Sequence, residues 1–315
     1  MTWNGTTSAP PPVTFPLYYS PRDSLIDGVS DHTLALAAPV LAYWLLSAIF
    51  HLLDTSEWKW LDAYRIHESS EVKARNLASR SQVVKAVLFQ QVIQTLLGYY
   101  WIAGKESVAG MDHAVAMLRV SDTMESILRL VVGDVLVGEI LKGGALVYYT
   151  YWWAIPIAQL LFGMFIIDTW QYFLHRLMHN NKTLYKHFHS VHHRLYVPYA
   201  FGALYNHPVE GFVLDTMGAG IAEALSGMSV RQATFLFVIS TFKTVDDHCG
   251  YSLPFDPLQW MTGNTADYHD IHHQVVGIKS NFAQPFFTHW DVMLGTRMTR
   301  KDIEMHRKKV AEKTL

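Results

Sequence analysis

Residues 145–193 read ALVYYTYWWAIPIAQLLFGMFIIDTWQYFLHRLMHNNKTLYKHFHSVHH, a charge-free apolar run to position 167 that passes through Asp168 into His175, His179, His189, His192 and His193. About 20 apolar residues cross the hydrocarbon of a bilayer, so 145–167 predicts a transmembrane helix whose far end delivers imidazoles. His175 and His179 stand four apart, hence on one helix face. The word H-x-x-H-H formed by His189, His192 and His193 recurs eighty positions later as His269, His272 and His273. Offsets of three and four predict that each word presents its three rings together, which is how metal ligands are presented.

Working outward, the chain has 315 residues, half of them hydrophobic, with ten Trp, sixteen Tyr, sixteen Phe and a formal net charge of −2. That balance offers no basic surface for nucleic acid. A second charge-free run, 33–53, is also a predicted span. The run 83–101 holds Lys85 and three glutamines and reads as a third span, its alternative being a buried helix packed on the other two. Segments 211–225 and 233–242, separated by Ser226-Gly227-Met228-Ser229, read as a helical hairpin, full or re-entrant, that returns both histidine words to one side. The segment 114–141 is amphipathic, suited to a membrane surface or a partner helix.

No basic start followed by an apolar core marks a cleavable signal; residues 9–16 are Pro-rich and irregular. Arg22 alone precedes the first span, whereas Lys59, Arg65, Lys73, Arg75 and Arg80 follow it, so residues 54–82 and the histidine words after three spans are expected in the cytosol. Asn4-Gly5-Thr6 would then be a lumenal glycosylation sequon and Asn181-Lys182-Thr183 a silent cytosolic one. The expected fold class is all-α, an integral membrane helical bundle with a cytosol-facing, histidine-rich site.

Cys249 is the only cysteine, which excludes an intrachain disulfide and a thiolate metal site built from this chain alone. The metal must therefore be held by nitrogen and oxygen. Imidazole suits zinc, copper, iron and nickel, so ligand type does not name it. Ligand number says more, because two, three and three histidines make eight before His207 or His248 is counted, enough for two ions. Two divalent ions on neutral imidazoles carry four positive charges that carboxylates, hydroxide or oxide must offset. Asp168, two turns before His175, and Asp246, Asp247, Asp270 and Glu210 are the nearby acids, read as groups that orient ligand rings. For Glu210 and Asp270 a capping or solvated acid is the alternative. A redox-active pair such as di-iron can bind O2 and attack an unactivated C–H bond. A lipid with its head group at the interface fits that setting.

Asp168-x-x-x-Tyr172-x-x-His175-Arg176-x-x-His179, the two H-x-x-H-H words, Asn206-His207-Pro208-x-Glu210, His248-Cys249-Gly250-Tyr251, and Asn281-Phe282 to Trp290-Asp291-x-x-x-Gly295-Thr296 resemble the fatty acid hydroxylase and sterol desaturase superfamily over residues 155–300. The resemblance implies two iron ions with His175, His179, His189, His192, His193, His248, His269, His272 and His273 as ligands and His207 as a tenth. The place where some relatives carry a further histidine is Thr244. It also implies residues 1–30 as an irregular N-terminal segment, 31–150 as an N-terminal transmembrane region, 151–300 as the hydroxylase domain and 301–315 as a basic tail.

Within the superfamily, Tyr18-Tyr19-Ser20-Pro21-Arg22-Asp23-Ser24-Leu25, Asp31-His32-Thr33-Leu34-Ala35-Leu36-Ala37-Ala38-Pro39 and Tyr64-Arg65-Ile66-His67 look most like the fungal sphingoid-base C4-hydroxylases. That implies residence in the endoplasmic reticulum membrane and conversion of sphinganine or dihydroceramide to a phytosphingosine-type product with O2. It also implies electrons from cytochrome b5 and its reductase. The sequence is expected to need such an external donor, having neither a His-Pro-Gly-Gly haem signature nor a Rossmann fingerprint; Gly218-Ala219-Gly220 reads as helix packing. The rivals are a sterol C4-methyl oxidase or C5-desaturase on the same histidines, and, more distantly, a histidine-lined metal transporter. His32, His51, His67, His113, His187, His289 and His306 read as surface or satisfied-core residues, and Trp152, Trp153 and Trp170 as an interfacial aromatic belt.

Overall fold

Two helices frame the molecule in a computed structural model that describes residues 13–56, 58–102 and 112–314. They are α1 (Asp31–Thr55) and α4 (Ala145–Asn180), both long and apolar enough to cross a membrane. The sequon Asn4-Gly5-Thr6 and the first part of the Pro-rich stretch lie outside the described residues. Between the two run α2 (Arg80–Ile102) and α3 (His113–Val132); after them come α5 (Met217–Ser226), α6 (Val230–Asp247) and α7 (Ala266–His273). Among the described residues the extended segments form only isolated bridges, so the fold is all-α as expected.

Local chemistry sets these boundaries. Ser30 caps α1 by accepting from the Thr33 amide. In α4, Pro156 has no N–H to give to the carbonyl of Trp152, four residues back, and residues Thr150–Ala154 take a π-helical turn there. The Tyr18 hydroxyl donates to that carbonyl instead. Gly227, at φ 61°, ends α5, and a capping box of Ser229 with Gln232 starts α6 two residues later. The two expected helices are thus present on either side of a short turn, with α6 running on to Asp247 at the histidine site, but they pack chiefly on α4 and α1 rather than on each other. The amphipathic segment is two helices, because Gly133 at φ 77° breaks it before Asp134–Ile140.

Packing is inside-out relative to a soluble protein. Leu41, Leu45, Ile49 and Leu52 of α1 and Ile157, Leu161, Phe162 and Phe165 of α4 are exposed, while histidines, carboxylates and Lys243 are buried. Helix α2 has the length of a span but carries Lys85 and several glutamines; it turns Gln90 and Gln91 inward and leaves Leu88, Phe89, Val92 and Leu96 outside. Helix α1 packs along α6, and α5 along α4. Small residues allow the close approaches: a Cβ on Gly218 would lie 2.8 Å from the Trp170 ring and one on Gly220 2.7 Å from Trp101. The Gly218-Ala219-Gly220 run is helix packing, as read from the sequence. The Trp170 indole N–H donates to the Val213 carbonyl beside that contact.

Beyond α7 the chain turns back through Gly277, whose amide donates to the Gln274 carbonyl and whose own carbonyl accepts from Ser280. A Cβ at Gly277 would lie 1.9 Å from the Ile271 carbonyl oxygen, a backbone atom that cannot step aside. Gly277→Ala is expected to push the turn off α7 and to destabilise the protein by about 1–3 kcal/mol. A lowered melting temperature with loss of bound metal in purified protein would register it; an unchanged one would refute the crowding argument.

Candidate metal centre

Nine histidines converge in the interior as two sets whose ligand atoms lie within 4.8 Å of one another: His175, His179, His189, His193 and His272, and His192, His248, His269 and His273. All nine are buried. Each H-x-x-H-H word is divided between the sets, against the expectation that its three rings stay together. His189 and His193 go to the first and His192 to the second; His269 and His273 go to the second and His272 crosses to the first. For α7 the reason is helical: at 100° per residue, positions four apart differ by about 40° whereas His272 lies about 60° to the other side of His269. The first word sits on a 3-10 turn, His189–Arg194.

The rings are oriented mainly by backbone. The Nδ1 of His175 faces the Phe282 carbonyl at 2.9 Å, His192 that of Tyr205 at 3.3 Å, and His248 that of Thr244 at 2.8 Å. His272 faces Ser280 at 2.7 Å and His273 faces Leu195 at 2.8 Å. A carbonyl only accepts, so in these five rings Nδ1 carries the proton and Nε2 presents a lone pair. His189 does the same toward Glu210 Oε1 at 2.5 Å.

The Nε2 atoms then meet with nothing to share. His175 and His189 approach to 3.1 Å and His192 and His248 to 3.4 Å, lone pair against lone pair. The Nε2 of His272 is buried without any hydrogen-bond partner. Nitrogens ~2.0–2.1 Å from one cation at ordinary coordination angles are separated by about 3.0–3.4 Å, so the donor set fits a metal ion in each place. Burial keeps the rings ready, drawing His192 down to about 4 and His248 to about 3 and holding His269, His272 and His273 well below the usual histidine range.

The carboxylates do different work from that expected. Among these acids Glu210 alone bonds a clustered histidine, His189. Asp168 accepts from the amides of Phe286 and Phe287 at 2.9 and 2.7 Å, fixing the segment whose Phe282 carbonyl holds His175. Asp291 is fully buried and accepts from the Phe282 and Ala283 amides and from Tyr268 and Thr296. The Trp290-Asp291 motif was legible in sequence; this role was not. Asp247 pairs with Lys243 and Asn264, Asp246 accepts from Gln259, and Asp270 binds His67 and Arg300. None of these three bonds a clustered histidine; their partners are Lys243, Asn264, Gln259, His67 and Arg300. His67 is therefore more than a surface residue, tying the segment after α1 to the second histidine word.

His207 stands outside both sets, against the expectation of a tenth ligand. It caps the turn Pro208–Gly211, its Nδ1 accepting from the Val209 amide and its ring against Phe188. Thr244 supplies its carbonyl to His248.

A cleft lined by α1, α2, α4, α5 and α6 reaches Thr244, whose carbonyl accepts from the His248 ring. Gln171 and Thr244 line it, one helical turn before His175 and His248 respectively. Apolar residues dominate the remainder, Leu36, Val40, Trp101, Ile167 and Phe237 among them. Asp215, left without a role in the sequence reading of the hairpin, lines it as well.

Glu210→Ala removes the acceptor that holds His189, and metal affinity is expected to fall about 10–100-fold, read by metal content after graded chelation. Stability of the metal-depleted protein should also depend on pH. Above the ordinary histidine value of about 6.5 both folded and unfolded chains keep these rings neutral. As pH falls from there toward about 4, only the unfolded chain takes protons at His192 and His248, so stability is lost across that window. A melting temperature flat between pH 7 and pH 4 would contradict the burial of neutral imidazoles.

Comparison with known proteins agrees with this geometry. The fatty acid hydroxylase family profile matches residues 160–296, the span that holds every clustered histidine. The sphingolipid C4-hydroxylase of Saccharomyces cerevisiae is 48% identical, covering 94% of this chain and 79% of its own. Sphinganine C4-monooxygenase 1 of Arabidopsis thaliana is 43% identical over 86% of this chain and 89% of its own. A very-long-chain aldehyde decarbonylase of Oryza sativa subsp. japonica is 40% identical over 86% and 90%. No solved structure matches significantly. With nine buried imidazoles arranged for metal and similarity running through nearly the whole chain, this is a metal-dependent membrane oxidoreductase that belongs to the fatty acid hydroxylase family.

Proposed function

We propose that the chain hydroxylates C4 of sphinganine or a dihydroceramide, giving phytosphingosine-type long-chain bases for sphingolipid synthesis, with two iron ions held by the two histidine sets. The observation that carries this reading is the pair of buried, lone-pair-presenting histidine sets, adjoined at Thr244 by a largely apolar cleft. His175, His179, His189, His193 and His272 would hold one ion and His192, His248, His269 and His273 the other. Bound iron supplies the oxidising chemistry, in which a C4–H, O2, two electrons and two protons become C4–OH and water.

The chain itself positions and protects. Its cleft takes the alkyl chain between helices and aims it at the floor formed by Gln171 and Thr244. Carbonyls of Phe282, Tyr205, Thr244, Ser280 and Leu195 keep the protons of five ligand rings on Nδ1, so the Nε2 of those rings stays available. Burial keeps bulk water from the reacting carbon. The electrons come from outside the chain, for which cytochrome b5 and its reductase are the proposed donors. The bias of Lys59, Arg65, Lys73, Arg75 and Arg80 after the first span supports a multi-pass placement with the histidines cytosolic, and the endoplasmic reticulum is the proposed membrane.

Similarity to C4-hydroxylases that extends through the N-terminal half supports the sphingoid substrate over a sterol, since the histidines alone serve either. Ligands gathered at one end of the helices, rather than strung along a pore, speak against a metal transporter. Expressed in cells unable to make phytosphingosine, the chain is expected to restore 4-hydroxylated long-chain bases by mass spectrometry. His192→Ala or His272→Ala should abolish them while the protein still accumulates. Restored sterols with unchanged long-chain bases would overturn the assignment.

A further inference from the structure

The cleft is lined by two carboxylates, Asp215 and Glu223, and by no lysine, arginine or histidine among the described residues. A carboxylate in a largely apolar wall is costly unless paired. Asp215 is only partly satisfied: Gln171 Nε2 lies 3.3 Å from its Oδ1 and the Gln94 side chain approaches as a second neutral donor, while Oδ2 is buried without a well-formed hydrogen bond. Neutral amide donors alone face this cleft-lining carboxylate, which leaves it without a cationic partner.

Position selects between the two acids. In a sphingoid base the amine is on C2, two bonds from C4, so its nitrogen lies within ~4 Å of the reacting carbon. The anion that receives it must stand at the histidine end of the cleft. Asp215 does: Gln171, which touches it, is one turn before His175, and Glu210, which holds His189, is near enough for the two carboxylates to repel. Glu223 lies two turns further along the same wall, ~12 Å beyond by helical rise.

We infer that Asp215 is the receptor for the protonated amine of the substrate, and that the cleft therefore selects a free long-chain base over its N-acylated form. Acylation converts the ammonium to a neutral amide and adds a second chain at that point, so the charge-assisted bond to Oδ2 is lost. The inference rests on the C4-hydroxylase reading for its placement of the reacting carbon. Its binding consequence is measurable without turnover.

Full-length protein in lipid nanodiscs would be titrated with sphinganine and with N-acetylsphinganine, for wild type, Asp215→Asn and Asp215→Glu, each checked for metal content and melting temperature. Wild type is expected to bind sphinganine about 10-fold or more tightly than the N-acetyl compound. Asp215→Asn should erase that preference and Asp215→Glu retain part of it, with KM for sphinganine rising more than kcat falls. Equal wild-type affinity for the two ligands overturns the inference even if Asp215→Asn does not fold. So does an Asp215→Asn protein that keeps the preference, or one that loses both ligands together with its metal. An Asp215-dependent preference without any 4-hydroxylated product would instead overturn the C4-hydroxylase reading and leave the amine site standing.

Discussion

The protein depends on a bond that never touches a metal: the hydrogen bond from an imidazole Nδ1 to a backbone carbonyl. Five rings make it and a sixth uses Glu210. Each such bond chooses a tautomer, fixes a ring plane and turns a lone pair inward. The resulting concentration of lone pairs is tolerable only around cations. The carbonyls come from chain segments far apart in sequence, between Leu195 and Phe282, so the bundle must be assembled before the lone pairs converge.

That requirement accounts for the buried acids. Asp168 within α4 and Asp291 in the short helix His289–Met293 both hold amides of the segment 282–287 in place. They act on ligand geometry through the backbone, and their charge is spent on N–H groups that would otherwise be orphaned in the interior. The divided histidine words add a second constraint. Because each word feeds both sets, a rotation of α7 or of the turn at His189–Arg194 disturbs both at once. The two places are mechanically one unit.

The lipid-facing exterior and the cleft have a common origin. Helices α1, α2 and α4 expose apolar side chains outward and reserve Gln90, Gln91 and Gln171 for the inside. A bundle built that way can admit an alkyl chain between its helices without exposing it to water. Small residues such as Gly218 and Gly220 let the walls approach, and the polar atoms that remain in the wall are available to read a head group.

From sequence alone the long apolar runs, the two helices either side of residues 226–229 and the histidine words were legible, since each is a pattern that one helix or turn can satisfy locally. So was the family, carried by motifs at fixed spacing. The sharing of each word between two sets was not, nor the standing of His207 as a cap, the use of Asp168, Asp246, Asp247 and Asp270 away from the rings, or the missing cationic partner of Asp215. Spacing tells which face of a helix a residue occupies. What that face meets is decided when helices distant in the chain pack together, and a lone pair, a carbonyl and a carboxylate acquire their roles only from that meeting.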